Sequence, residues 1–128
     1  MRILLYVLAV YQAANGAIMV AAPDFWYAVT PDADRTGPAN LHFIRDIGLA
    51  FLAAAAALAL AVQSTHRAVL VWVAFVFLGG HAALHLLEAV LHGVTMSAAI
   101  RDTALIGAPA LLPLFALRRS GRRTGSVP

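Results

Sequence analysis

Histidine and carboxylate side chains occur together in one apolar stretch of the chain, residues 79–93, which reads GGHAALHLLEAVLHG. His81, His85, Glu88 and His92 follow one another at spacings of four, three and four residues. At about 100° per residue, a helix places all four on one narrow stripe. Imidazole with carboxylate is a ligand set for Zn, Cu or Fe. The spacing therefore predicts a helix with one metal-binding face.

A second group of ionisable residues opens another apolar segment, NLHFIRDIG, at residues 40–48. His42 and Asp46 are four residues apart and share a helix face, and Arg45 lies about 60° from His42 on the other side. The tripeptide Ile-Arg-Asp of this segment recurs at residues 100–102, near the start of the last apolar segment. The recurrence is consistent with a duplicated helical hairpin or with chance.

The depths of these residues in the membrane predict that the two groups of ionisable side chains lie side by side. If the two helices run in opposite directions, Asp46 lies about 7 Å inside the bilayer face, level with His85 and Glu88. The predicted metal ligands are His42, Asp46, His85 and Glu88, extended by His81 or His92. The groups predicted to surround them and balance charge are Arg45, Arg101 and Asp102.

Other interpretations of the same residues stay open. The arginines can pair with the acids while the histidines form hydrogen bonds across the bundle, which would give a structural or proton-handling network. Alternatively, His42 and His85 can supply two axial ligands to haem. A third possibility is an enzyme that acts on a lipophilic substrate from the outer leaflet.

The composition of the chain predicts an integral membrane protein. It has 128 residues, of which 62% are hydrophobic and only 12% charged, with a mean hydropathy of +0.82. A soluble domain is about 25% charged. The absence of cysteine excludes disulfides and thiolate metal sites. Four segments reach the length of about 20 apolar residues that a spanning helix needs. The predicted helices cover residues 3–22, 41–62, 68–92 and 98–117.

The predicted fold is an all-α integral membrane four-helix bundle, a single domain of residues 1–117 with up-down-up-down topology. All nine basic residues are arginine. The positive-inside rule places both termini in the cytoplasm and the acidic connection, residues 23–40, outside. Residues 118–128 are predicted to form a basic, disordered cytoplasmic tail. The arginines expected to set topology or contact anionic lipid, and not nucleic acid, are Arg67, Arg118, Arg119, Arg122 and Arg123.

Three segments carry a resemblance to known proteins: residues 23–27 (PDFWY), 40–48 (NLHFIRDIG) and 81–85 (HAALH). With them the chain resembles a family of small, uncharacterised bacterial four-helix membrane proteins, broadly DoxX-like. Some of those proteins carry an acidic residue where Leu41 stands. The resemblance implies the bacterial plasma membrane as the location and, because wider relatives accompany membrane oxidoreductases, an accessory role.

These observations predict a membrane protein with a buried His/Asp/Glu site for a metal or metallo-cofactor near the outer, periplasmic face. It would act as a redox-linked or metal-handling accessory factor. The alternative is a non-catalytic subunit of a homo-oligomer or a larger membrane complex, in which the polar belt is structural.

Overall fold

The structure, a computed structural model, describes residues 1–117, and every regular element in that range is a helix. Within these residues, four helical segments are long and apolar enough to cross a membrane: Arg2–Ala21, Leu41–Ala61, Arg67–His92 and Met96–Ala116. Each begins and ends within two residues of its predicted bounds. The predicted fold class, an all-α membrane four-helix bundle, is confirmed. The predicted basic tail, with Arg118, Arg119, Arg122 and Arg123, lies outside the described residues.

The first span, α1 (Arg2–Ala21), ends where Pro23 removes a backbone N–H from the helical ladder. Pro23 then opens a short helix, α2 (Pro23–Val29), and a 3₁₀ turn follows at Ala33–Thr36. The connection is therefore more ordered than the loop expected from sequence. The Trp26 indole N–H donates to Asn15 Oδ1 at 3.0 Å, which fastens α2 to the end of α1.

The second span, α3 (Leu41–Ala61), begins at Asn40, whose side chain accepts a hydrogen bond from the Phe43 backbone N–H at 3.1 Å. It packs closely on α1 because glycines meet at the contact. A Cβ atom on Gly16 would lie 2.6 Å from the carbonyl oxygen of Gly48. Small residues of this kind allow helices to approach within a membrane.

The third span, α4 (Arg67–His92), starts at a residue that also caps α3. The Arg67 guanidinium donates to the carbonyl oxygens of Ala61 and Val62 at 3.1 and 3.3 Å. The buried residues of α4 are Val71, Ala74 and Leu78, all in its first half. No residue from position 79 to 92 is fully buried. The half of α4 that carries the histidines is thus loosely packed.

The fourth span is a composite of four short elements. They are α5 (Met96–Asp102), a π-helical turn (Thr103–Gly107), α6 (Ala108–Leu111) and a 3₁₀ turn (Leu112–Ala116). The Tyr11 hydroxyl of α1 donates to the Leu105 carbonyl oxygen in the π turn at 2.9 Å. The fourth span also packs on α4, so the four spans form a closed ring.

Candidate functional site

The ionisable side chains gather at one end of the bundle, where α1 ends, α3 begins, α4 ends and α5 begins. We call this the loop end, because the connection at residues 22–40 covers it. Two contacts define it: Arg45 Nε donates to the Val20 carbonyl oxygen at 3.3 Å, and Arg101 pairs with Asp32 at 2.7 Å. Arg45 therefore caps α1 and, within residues 1–117, forms no ion pair with a carboxylate, although the sequence predicted it to surround the metal ligands.

His42 and Asp46 form a pair on the outer surface of α3. His42 Nε2 and Asp46 Oδ2 are 3.4 Å apart, and the His42 side chain is 89% exposed. The buried face of this half of α3 carries Ile44 and Gly48. His42 precedes Ile44 by two residues, which is about 200° around the helix. The pair consequently faces away from the bundle interior, and the structure does not bring it to α4.

Glu88 and His92 form a similar pair at the end of α4. Glu88 Oε2 and His92 Nε2 are 3.5 Å apart, and both side chains are exposed. Within residues 1–117, no three His, Asp or Glu side chains converge into a group that could hold a metal ion. The quartet predicted from sequence is therefore divided among separate pairs.

His81 lies deeper in the bundle, among aromatic rings. Its imidazole stacks on Phe77, with ring centroids 5.8 Å apart, and meets the edge of Phe51 on α3 at 5.3 Å. It also contacts the ring of His85, one turn further along α4, at 4.8 Å. His81 thus connects the core of the bundle with the more accessible His85.

His85 and Asp102 come from different spans and form the innermost of the three pairs. Their Nδ1 and Oδ2 atoms are 4.0 Å apart, and both side chains are partly buried. His85 precedes the end of α4 by seven residues and Asp102 follows the start of α5 by six. Both lie about 10 Å from the loop end.

Arg101 links this pair to the connection between α1 and α3. Its Nε and Nη2 atoms each lie 2.9 Å from Asp102 Oδ1, and Nη2 lies 2.7 Å from Asp32 Oδ2. His85, Asp102, Arg101 and Asp32 therefore form a continuous series, which we call the polar chain. Sequence reasoning grouped Arg101 with Asp102 but missed Asp32, because no spacing rule relates a loop carboxylate to a residue 69 positions away.

An apolar groove runs between α4 and the fourth span, with a volume of about 340 Å³. Its walls carry several of the smallest side chains of the protein: Gly79, Ala82, Ala83, Ala89, Ala99 and Gly107. The polar residues in its lining are His85, Asp102 and Thr103. The Thr103 hydroxyl already donates to the Ala99 carbonyl oxygen at 2.8 Å. His85 and Asp102 are the polar groups left to meet a ligand in the groove.

Comparison of the chain with known protein families, with curated proteins and with solved structures finds no match. The resemblance to DoxX-like proteins stays a prediction.

Proposed function

We propose that this chain is a multi-pass membrane protein that binds a small lipophilic molecule in the groove between α4 and the fourth span. The observation that supports this proposal is the position of the His85–Asp102 pair in the wall of an apolar groove of ligand size. Binding sites typically occupy about 300–1,000 Å³, with apolar walls and a few convergent polar groups. Ionisable residues inside spanning segments usually mark function.

The distribution of charge supports an orientation with the loop end outside. By sequence, Arg2, Arg67 and the four arginines of the tail fall on one side of the membrane, against Arg35, Arg45 and Arg101 at the loop end. The positive-inside rule then places both termini in the cytoplasm, with up-down-up-down topology and, by the resemblance, a bacterial plasma membrane. In that orientation the His85–Asp102 pair lies toward the periplasmic face, and a ligand enters from the outer leaflet.

The packing of α4 supports such a route. The half of this helix that borders the groove has no fully buried residue, and Leu86 lines the groove while its side chain is 67% exposed. Regions with few buried apolar contacts open at low free energy. A lipophilic molecule can therefore enter between α4 and the fourth span without unfolding the tightly packed α1–α3 pair.

The test is to purify the full chain in lipid nanodiscs and identify the bound lipophiles by liquid chromatography and mass spectrometry. The double variant His85→Leu/Asp102→Asn is compared with His42→Leu/Asp46→Asn, which makes the same changes in the exposed pair on α3. We expect one class of lipophile to be enriched over the disc lipids in the wild type and the control, and depleted in the groove variant. Equal enrichment in all three proteins contradicts the proposal.

A transition metal ion, Zn, Cu or Fe, is the second candidate, and the exposed pairs favour it. Two ligands at about 2.1 Å from a tetrahedral zinc ion lie about 3.4 Å apart. The His42–Asp46 and Glu88–His92 pairs hold their donor atoms at 3.4 and 3.5 Å. Each pair supplies two ligands, so a second copy or a larger membrane complex would complete the site. Such a site suits the redox-linked or metal-handling accessory role predicted from sequence.

Elemental analysis of the same purified samples tests this second candidate. About half to one metal equivalent per chain in the wild type, lost in His42→Ala/Asp46→Ala or in Glu88→Ala/His92→Ala, supports a metal site and names the ion. A Soret band in the optical spectrum would identify haem instead. Metal-free protein that also fails to bind added zinc, copper or iron contradicts this candidate.

A further inference from the structure

We infer that the ligand of the groove is a long-chain alcohol, with one apolar chain and an uncharged hydroxyl head. This inference rests on the proposed function and names the class of molecule that the groove accepts. Three features point to this class of molecule: the spacing of the His85–Asp102 pair, the charge of the polar chain and the small side chains that line the groove.

The spacing of the pair leaves room for one bridging group. Nδ1 of His85 and Oδ2 of Asp102 are 4.0 Å apart, which is beyond the range of about 2.7–3.2 Å for a direct hydrogen bond. A hydroxyl oxygen placed between them reaches both atoms at ordinary hydrogen-bond distance. A hydroxyl donates one hydrogen bond and accepts others. It therefore donates to Asp102 and accepts from the Nδ1–H of His85.

The charge around the pair favours an uncharged head. Arg101 is the cation of the polar chain, and it is shared between Asp102 and Asp32. With His85 neutral, one arginine and two aspartates leave this group of side chains with a net charge of −1. A carboxylate or phosphate head would find an acidic site with no unshared cation. An ammonium head would gain little from the excess negative charge, because that excess lies on Asp32, outside the groove lining, whereas Asp102 is paired with Arg101.

The walls of the groove favour a single chain. Glycine and alanine at positions 79, 82, 83, 99 and 107 leave space for a chain between the helices, and Phe75 and Leu111 line the part of the groove farther from the loop end. Phe75 lies ten residues before His85 on α4, which is about 15 Å along the helix axis. A volume of about 340 Å³ is at the small end of the range for binding sites and suits one alkyl or isoprenoid chain.

The test is photocrosslinking of the full chain in nanodiscs. The probe is hexadecanol that carries a diazirine and an alkyne in its chain, and the matched probes are palmitic acid and hexadecylamine with the same chain. We expect the alcohol to label peptides of α4 and the fourth span, and unlabelled hexadecanol to compete. We expect the acid and the amine to label these peptides about tenfold less, as the loss of one favourable polar interaction predicts.

Two pairs of variants separate specific labelling from partition into lipid. His85→Leu/Asp102→Asn should reduce alcohol labelling about tenfold, and the exposed-pair control His42→Leu/Asp46→Asn should leave it unchanged. Gly107→Leu should block the groove, because a Cβ atom there meets no atom closer than 4.0 Å and the larger side chain can occupy the space. Ala104→Leu adds the same side chain at an exposed position of the same span that is outside the groove lining.

A second groove of similar size provides an internal control. It lies between α1 and α3, has a volume of about 320 Å³, and has neither His nor Asp in its lining. If the acid or amine probe labels α4 and the fourth span as strongly as the alcohol, the alcohol class is wrong and lipophile binding survives. If labelling is absent, equal in both grooves or unchanged by Gly107→Leu, the inference and the proposed function both fail.

Discussion

The Nδ1 atom of His85 and the Oδ2 atom of Asp102 lie 4.0 Å apart, although the two residues belong to different spans. Both residues lie about 10 Å from the loop end, so a sliding movement of α4 along the fourth span would separate them. Arg101 holds the other oxygen of the Asp102 carboxylate, which leaves Oδ2 directed toward His85. The orientation of the Asp102 carboxylate toward His85 thus depends on Arg101.

Replacement of this arginine, Arg101→Gln, is expected to lower the thermal unfolding temperature. The change leaves Asp102 with a charge at membrane depth and no cation beside it. The measurement is tryptophan fluorescence during heating in detergent. The double variant Arg101→Gln/Asp102→Asn should regain part of the loss, because it removes the unbalanced carboxylate. Equal unfolding temperatures for the single and double variants would show that Asp102 does not depend on Arg101.

The contact between Gly16 and Gly48 is expected to tolerate no added methyl group. Gly16→Ala should destabilise the protein by about 1–3 kcal/mol, because the new Cβ would approach the Gly48 carbonyl oxygen to 2.6 Å. Gly80→Ala is the matched control, since a Cβ at that position meets nothing within 4 Å. It should be neutral, or stabilising by up to about 1 kcal/mol. Unfolding in graded denaturant measures both, and equal effects would contradict the close approach of α1 and α3.

The hydrogen bond from Tyr11 to the Leu105 carbonyl oxygen is expected to contribute to the closure of the bundle. Tyr11→Phe removes the donor and should lower the free energy of unfolding by about 0.5–1.5 kcal/mol. Tyr6→Phe, on the exposed surface of the same helix, should have little effect. Hydrogen exchange at the π turn should rise in the Tyr11 variant alone. Unchanged exchange there would mean that the turn is held by other contacts.

The Asp32–Arg101 ion pair is expected to order the connection between α1 and α3. Asp32→Asn should increase hydrogen exchange and protease cleavage in residues 30–40, because it removes a charged partner of Arg101. Asp34→Asn makes the same change at an exposed neighbouring acid and serves as the control. Equal hydrogen exchange and equal protease cleavage in the Asp32 and Asp34 variants would show that this ion pair does not order the connection.

The spans were predictable because length and apolarity alone decide them, but the direction in which α3 faces was not. Apolar residues cover most of α3, so they do not show which face is buried. The polar residues His42 and Asp46 therefore predicted the inner face, because lipid disfavours ionisable side chains. Ile44, Gly48 and Phe51 provide the competing stripe, and the structure buries that one. The spacing of these three residues is also four and three, so periodicity favours neither stripe.

The repeated Ile-Arg-Asp tripeptide illustrates the same difficulty. Ile44 is 7% exposed, whereas Ile100 is 63% exposed, so the two copies turn opposite faces to the interior. As a result Asp46 pairs on the surface with His42, and Asp102 lines the groove. The tripeptide is identical in the two places, and the tertiary packing of each helix decides the outcome.

The glycine contact between α1 and α3 makes one side of the bundle more rigid than the other. The backbones of α1 and α3 are in direct contact at Gly16 and Gly48, with no side chains between them to rearrange, so these two helices form a rigid pair. The compliant part is then the opposite side, where the histidine-bearing half of α4 meets α5. We expect the groove to widen at the loop end, where α4 can move away from α5. The Arg67 bonds to the end of α3 hold the opposite end of α4 in place.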